Sequence, residues 1–258
     1  MVGKDEKDLT SADLQEEDYT RLIGKDIAGM KIAVPNYFMS EVVSSEVKQK
    51  IEEIIEQLKE WGATVEYIDI DYIENAVNLY QIIAMGEASS NLARFDGIRY
   101  GYSCENPKNV EDLYKRTRQE GFGDEVKRRI MVGSYLLSGE NATIYYNKAL
   151  QIRDDIRKSF KEAFKKYDLI IGPTATTVAY KLTDNLDDPL QNYLDDVLVI
   201  PVNMAGLPGM NVPVGFNKDN MPIGLHIIGD SFEEAKMYQL AAFIEKKLNL
   251  DLNAKEVK

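Results

Sequence analysis

Residues 196–229 read DVLVIPVNMAGLPGMNVPVGFNKDNMPIGLHIIG, and this stretch decides the fold class. It holds three short apolar runs, Val197–Val202, Met210–Val214 and Ile223–Ile228, divided by turn formers. Val and Ile dominate the runs, so the pattern predicts three buried strands rather than helix. Pro201, Pro208, Pro213 and Pro222 each lack a backbone donor, which assigns them to strand ends, edges or turns. Asn217–Asn220 forms a polar tip between the last two runs, as in a hairpin return. Strands of this kind belong inside an α/β protein.

The flanking sequence supplies the layers. Lys31–Pro35 (KIAVP) predicts a strand, and Val47, Ile51, Ile54, Ile55, Leu58 and Trp61 have the spacing of an amphipathic helix. Ser44 or Ser45 can cap that helix, Gly62 comes just past its end, and Thr64–Ile70 predicts a second strand. Strand, helix and strand make a βαβ-like unit. Further helices are predicted near residues 75–95, 123–138, 144–166 and 231–248, with a strand near 168–172 and a loop over Tyr100–Asp112. Ser231 and Glu234 have capping-box spacing before the last helix. Residues 1–28 are polar and acidic and predict an arm or loop. The fold class expected is therefore α/β, a mixed β-sheet flanked by helices.

Composition excludes several functions. The 31 basic and 43 acidic side chains give a net charge of −12, with no dense basic run to grip a phosphate backbone, so no direct nucleic-acid binding is expected. Cys104 is the single cysteine, and no apolar run approaches the ~20 residues that span a bilayer. The opening MVGKDEKDLTSADLQ has no apolar signal core, so the expected location is cytoplasmic, without membrane. A Ser-His-Asp arrangement would have to use His226, the only histidine; its Val/Ile/Leu-rich strand predicts a hydrogen-bonded core imidazole instead. One His and one Cys cannot build a usual zinc site, and no phosphate-cradling glycine motif is present. Asp184, Asp187, Asp188, Asp195 and Asp196 could hold a cation or form a solvated acidic loop. Glu87 lines up with apolar neighbours and reads as a polar anchor between helices.

The run VLVIPVNMAGLPGMNVPVGF…MPIGLHIIGDSFEE resembles the C-terminal hallmark of the amidase-signature family. EASSNLARFDGIRYG, GFGDEVKRRIMVGSYLLSG, YYNKALQIRDDIRKSF and DLIIGPTATTVAYKL point to its tRNA-dependent amidotransferase members in particular. The resemblance implies that residues 29–258 are the C-terminal portion of a single amidase-signature domain. Family chemistry uses a lysine, a serine in a cis peptide and a nucleophilic serine within a Gly/Ser-rich signature. No Gly-Gly dipeptide occurs here, and the Ser-Ser pairs Ser44-Ser45 and Ser89-Ser90 do not resemble that signature, so no catalytic residue is expected in this chain. By motif, the family's contacts to donor glutamine fall on Tyr80 (NLYQ), Arg129 (EVKRR) and Asp196 (YLDDV). The alternatives are a core Tyr80, a surface Arg129 beside Arg128, and a solvated Asp196 beside Asp195.

The implied partners are the missing N-terminal half of the domain, a tRNA-binding subunit that uses ATP and Mg, and a small accessory subunit. No cofactor is implied in this chain, and alone it is expected to be catalytically silent. Half of another amidase-signature hydrolase, or a non-catalytic binding module, are the competing readings. Three departures stand out: His226 where glutamine is common, Val214 where cysteine is common, and Thr176-Thr177 where proline is common.

Overall fold

The computed structural model describes residues 3–14, 17–181 and 196–252. The chain divides into two compact units, one comprising Met1–Asp71 with Arg157–Lys258 and the other Tyr72–Ile156.

The first is a sheet unit. β1 (Lys31–Pro35) pairs in parallel with β2 (Thr64–Ile68) on one side and with β3 (Leu169–Pro173) on the other. β5 (Pro222–Ile228) runs antiparallel to β3, and β4 (Gly209–Phe216) runs antiparallel to β5. The resulting mixed sheet has the order β2-β1-β3-β5-β4. Parallel pairing between β1 and β2 requires a crossover, supplied by α1 (Ser45–Glu60). Its stripe of Val47, Ile51, Ile54, Ile55 and Leu58 is buried, as the 3.6-residue period demands. The Ser44 hydroxyl makes no cap bond; its backbone N–H instead donates to the Thr176 carbonyl at 2.8 Å, tying the helix start to the loop after β3. Ile32, Leu169, Ile170, Leu225 and Ile227 have no exposed surface, each contributing about 1.5–3 kcal/mol by burial.

Residues 197–202 are not a strand. The chain turns there and then forms α6 (Ile200–Ala205). Pro201 sits in the first turn, where its missing donor costs nothing, and Gly206 ends the helix at φ 70°. These two residues start and stop a helix directly after the Val/Ile run of residues 197–200. The last helix, α7 (Glu234–Leu248), buries Met237, Leu240, Ala241 and Ile244. No capping box forms, because Phe232 takes a positive φ of 68° and separates Ser231 from the helix, which starts after Glu233.

The helical unit contains α2 (Ala76–Leu92), α3 (Val110–Gly121), α4 (Asp124–Leu136), a π-helical turn (Ala142–Asn147) and the first half of α5 (Lys148–Phe164). α3 occupies sequence expected to start as loop; Asn109 caps it by accepting from the Asp112 N–H at 2.9 Å. α2 buries Ala76, Leu79, Ile83, Met85 and Gly86. α2 and α4 meet at Gly133, where a Cβ would run into the Met85 carbonyl oxygen. Only glycine permits that approach. The Ser89 and Ser134 hydroxyls, 2.9 Å apart, bond across the same seam. Glu87 is indeed a polar anchor, accepting from Tyr146 Oη at 2.6 Å. Among the described residues, no helix is long and apolar enough to cross a membrane.

Candidate functional site

Arg129 lies on α4 and is half-buried, with its Nε donating to Glu125 Oε1 at 2.7 Å. Arg128 grips the same carboxylate with two bonds of 2.7 Å. The hydrogen bonds from Arg128 and then Arg129 hold the pKa of the Glu125 carboxyl at about 2. Spacings of three and four residues put all three side chains on one helical face. The Nε of Arg129 is thus engaged by a carboxylate of its own helix, and its planar fork has the geometry that matches a carboxylate. Tyr80 is half-buried on α2 in the same unit.

Asp196 belongs to the sheet unit and is exposed. Its carbonyl accepts from the N–H groups of Val199 at 3.1 Å and Ile200 at 3.0 Å, so α6 fixes its main chain. Tyr80 and Arg129 thus sit on the two packed helices of one unit, and Asp196 stands at the entry to α6 in the other. Asp184, Asp187, Asp188 and Asp195 lie outside the described residues. Among the described residues, no group of three or more His, Cys, Asp or Glu side chains is placed to hold a metal ion.

The sheet unit also carries a concavity that the sequence flags only as a Thr-rich loop. It measures about 490 Å³ and lies at the C-terminal end of β3, between Val47, the Thr174–Tyr180 segment and the strand residues Asn211, Pro213 and Pro222–Gly224. This is where the sheet changes from parallel to antiparallel pairing, a usual place for a crevice in α/β sheets. Thr174 Oγ1 donates to Asn211 Oδ1 at 2.5 Å across Gly224, whose missing side chain makes room; a Cβ there would collide with that oxygen. Among the described residues, no charged side chain lines the space. One step down the sheet, His226 pairs with Asn211 and Gly172 in register and is buried. Its Nδ1 has no hydrogen-bond partner among the described residues, contrary to the satisfied imidazole expected. Burial lowers its pKa to about 4, so the ring is neutral at neutral pH and poorly suited to general-base work.

Comparison with known proteins fixes the family. The model described as Amidase matches residues 1–237. The A subunit of glutamyl-tRNA(Gln) amidotransferase from Pediococcus pentosaceus is 51% identical over 245 residues, covering 95% of this chain and 50% of the relative. The protein of the same name from Streptococcus sanguinis is likewise 51% identical over 245 residues, with the same coverage. The crystal structure of the Thermotoga maritima protein of that name superposes with a TM-score of 0.73 at 35% identity, over 95% of this chain and 48% of that one. A bacterial aryl acylamidase, 21% identical with a TM-score of 0.70 over 95% of this chain and 48% of its own, shares the fold. The chain spans about half the length of the curated relatives it matches, and by its motifs the C-terminal half. With a family model running over nine-tenths of its residues and the mixed sheet superposing on solved members, the chain belongs to the amidase-signature family.

Proposed function

We propose that this chain is the C-terminal half of the glutamine-hydrolysing subunit of a tRNA-dependent amidotransferase. The observation that carries the reading is the 51% identity, over 95% of the chain, to a glutamyl-tRNA(Gln) amidotransferase protein. In this reading Arg129 binds the α-carboxylate of glutamine through two parallel donors, Asp196 binds the α-ammonium, and the Tyr80 phenol orients the donor. Charge at both ends selects a free amino acid over a simple amide. The Glu125 contact to Arg129 and the anchored main chain of Asp196 support these roles, since a recognition pair needs oriented partners.

The reacting serines and lysine come from the N-terminal half of the domain. There a serine attacks the side-chain amide carbon, ammonia leaves, and water releases glutamate from the acyl-enzyme. A tRNA-binding subunit, using ATP and Mg, consumes the ammonia, with a small accessory subunit completing a cytoplasmic assembly. The net acidic charge of this chain suits a division of labour in which the partner holds the nucleic acid.

The test is to co-express the chain with the N-terminal half of the Pediococcus pentosaceus relative and assay ammonia release. Glutamine should be hydrolysed by the pair and not by this chain alone. Arg129→Lys and Asp196→Asn should each raise KM for glutamine by about tenfold or more, with simple amides turned over as before. Equal loss on simple amides, or ammonia from this chain alone, would overturn the reading.

A further inference from the structure

α4 opens with two acidic residues, Asp124 and Glu125, in its first turn, where carboxylates suit the positive end of the helix. The two are used differently. Asp124 is fully exposed and pairs with Lys127 at 3.4 Å. Glu125 accepts from Arg128 Nε at Oε2, and from Arg128 Nη2 and Arg129 Nε at Oε1, each at 2.7 Å. All three side chains are about half exposed, and ion pairs in that setting add little to stability. Holding the fold together is therefore a weak reason for this arrangement.

A guanidinium presents its N–H groups in a planar fork with two edges that suit a carboxylate, Nε with one Nη or the two Nη together. Glu125 takes the Nε of Arg129, which assigns the Nη1–Nη2 edge to a second carboxylate docking through two bonds. A carboxylate beside Arg129 would by itself cancel its charge and repel an anionic ligand. Arg128 offsets that. It grips Glu125 by two parallel bonds, and two guanidiniums against one carboxylate leave a net positive charge. Spacings of three residues to Arg128 and four to Arg129 let the one carboxylate serve both.

We propose that Glu125 is a positioning residue of the donor site: gripped by Arg128, it holds Arg129 by Nε and turns the Nη1–Nη2 edge of that guanidinium toward the α-carboxylate of the donor amino acid. The inference deepens the functional reading and rests on it for the role of Arg129. It adds that Glu125 and Arg128 act through Arg129 and not on the substrate. Their effect therefore belongs in KM for donors that carry an α-carboxylate, not in the chemical step.

The test measures ammonia release from glutamine by this chain co-expressed with the N-terminal half of the Pediococcus pentosaceus relative. Glu125→Ala should raise KM for glutamine by about tenfold with kcat little changed. The inhibition constant of γ-aminobutyramide, which is glutamine without its carboxylate, should stay as before. Glu125→Gln keeps an oxygen for Nε and should recover part of the loss, while Arg128→Gln should raise KM by about threefold. Asp124→Ala removes the other first-turn charge and should change nothing, which separates a helix-end effect from positioning. In an Arg129→Lys background, Glu125→Ala should add less than about twofold, because residues that act through one another are not additive. Equal rises in KM and in the inhibition constant overturn the inference, as does full additivity with Arg129→Lys. A fall in KM also overturns it, since Glu125 then competes with the donor for the fork. A loss of far-UV circular dichroism in Glu125→Gln assigns the residue to folding instead. Each of these outcomes leaves the functional reading standing; absence of glutamine hydrolysis by the unsubstituted pair removes both.

Discussion

The sheet unit and the helical unit solve the packing problem by different means. In the sheet unit, aliphatic side chains from β1, β3 and β5 interlock, and position is set by register. The helical unit relies on backbone approach, with Gly133 against Met85 and Gly86 against the ring of Tyr146. It also leaves large side chains exposed, including Met131 at 73% and Tyr135 and Ile144 at 57% each. A register shared by five strands tolerates few errors but spreads the cost over many contacts. A glycine seam concentrates its specificity in one or two positions. The unit that holds Arg129 is the one whose geometry hangs on so few atoms.

That contrast can be broken by substitution, and Trp61 helps because it is the chain's one tryptophan and lies in the sheet unit. Ile170→Ala should have the largest effect, about 4 kcal/mol, by leaving a cavity in a strand with no exposed surface. Urea unfolding followed by Trp61 fluorescence measures it. Gly133→Ala should cost about 3 kcal/mol by driving α2 and α4 apart, seen in far-UV circular dichroism while the Trp61 transition moves less. Equal shifts of both signals would show that the units unfold as one and erase the contrast.

The smallest effect depends on pH. His226 titrates at about 4 when folded, against an ordinary 6.5. Below 6.5 the unfolded chain takes up a proton that the folded one refuses, so stability is full above that pH and falls as pH drops towards 4. At pH 5 the loss should be about 2 kcal/mol relative to pH 8, and His226→Gln should remove that part of the slope. An unchanged slope in the variant would place the acid sensitivity elsewhere.

Most of the sheet was legible because a strand buried on both faces reads as a Val/Ile run bounded by turn formers. β1, β3 and β5 fall within a residue or two of where that pattern puts them. The same rule misassigned residues 197–202, where Pro201 in the first turn and Gly206 at the end set a helix against the Val/Ile run that leads into it. α3 escaped for the opposite reason. VEDLYKRTRQEG has Val110, Leu113, Tyr114 and Thr117 at helical spacing, but they are few among many charges and only Thr117 is buried, so the Asn109 cap is the other signal. Of the candidate site, Tyr80, Arg129 and Asp196 came from motif resemblance; their types and spacing would not have singled them out. The Thr174–Asn211 concavity was invisible because the two side chains that bond across it are 37 residues apart and are joined only by strand register across Gly224.

The widened turn at Ala142–Asn147 has an evolutionary reading. A π-helical turn, with its i→i+5 bonds, holds about one residue more than ordinary winding needs. Here the surplus residue sets the angle at which Tyr146 meets Glu87, because each residue rotates the helix by about 100°. Removing one residue would relax the winding yet swing that phenol off its carboxylate, so length variation among homologues at this turn should travel with the loss of one or the other side chain.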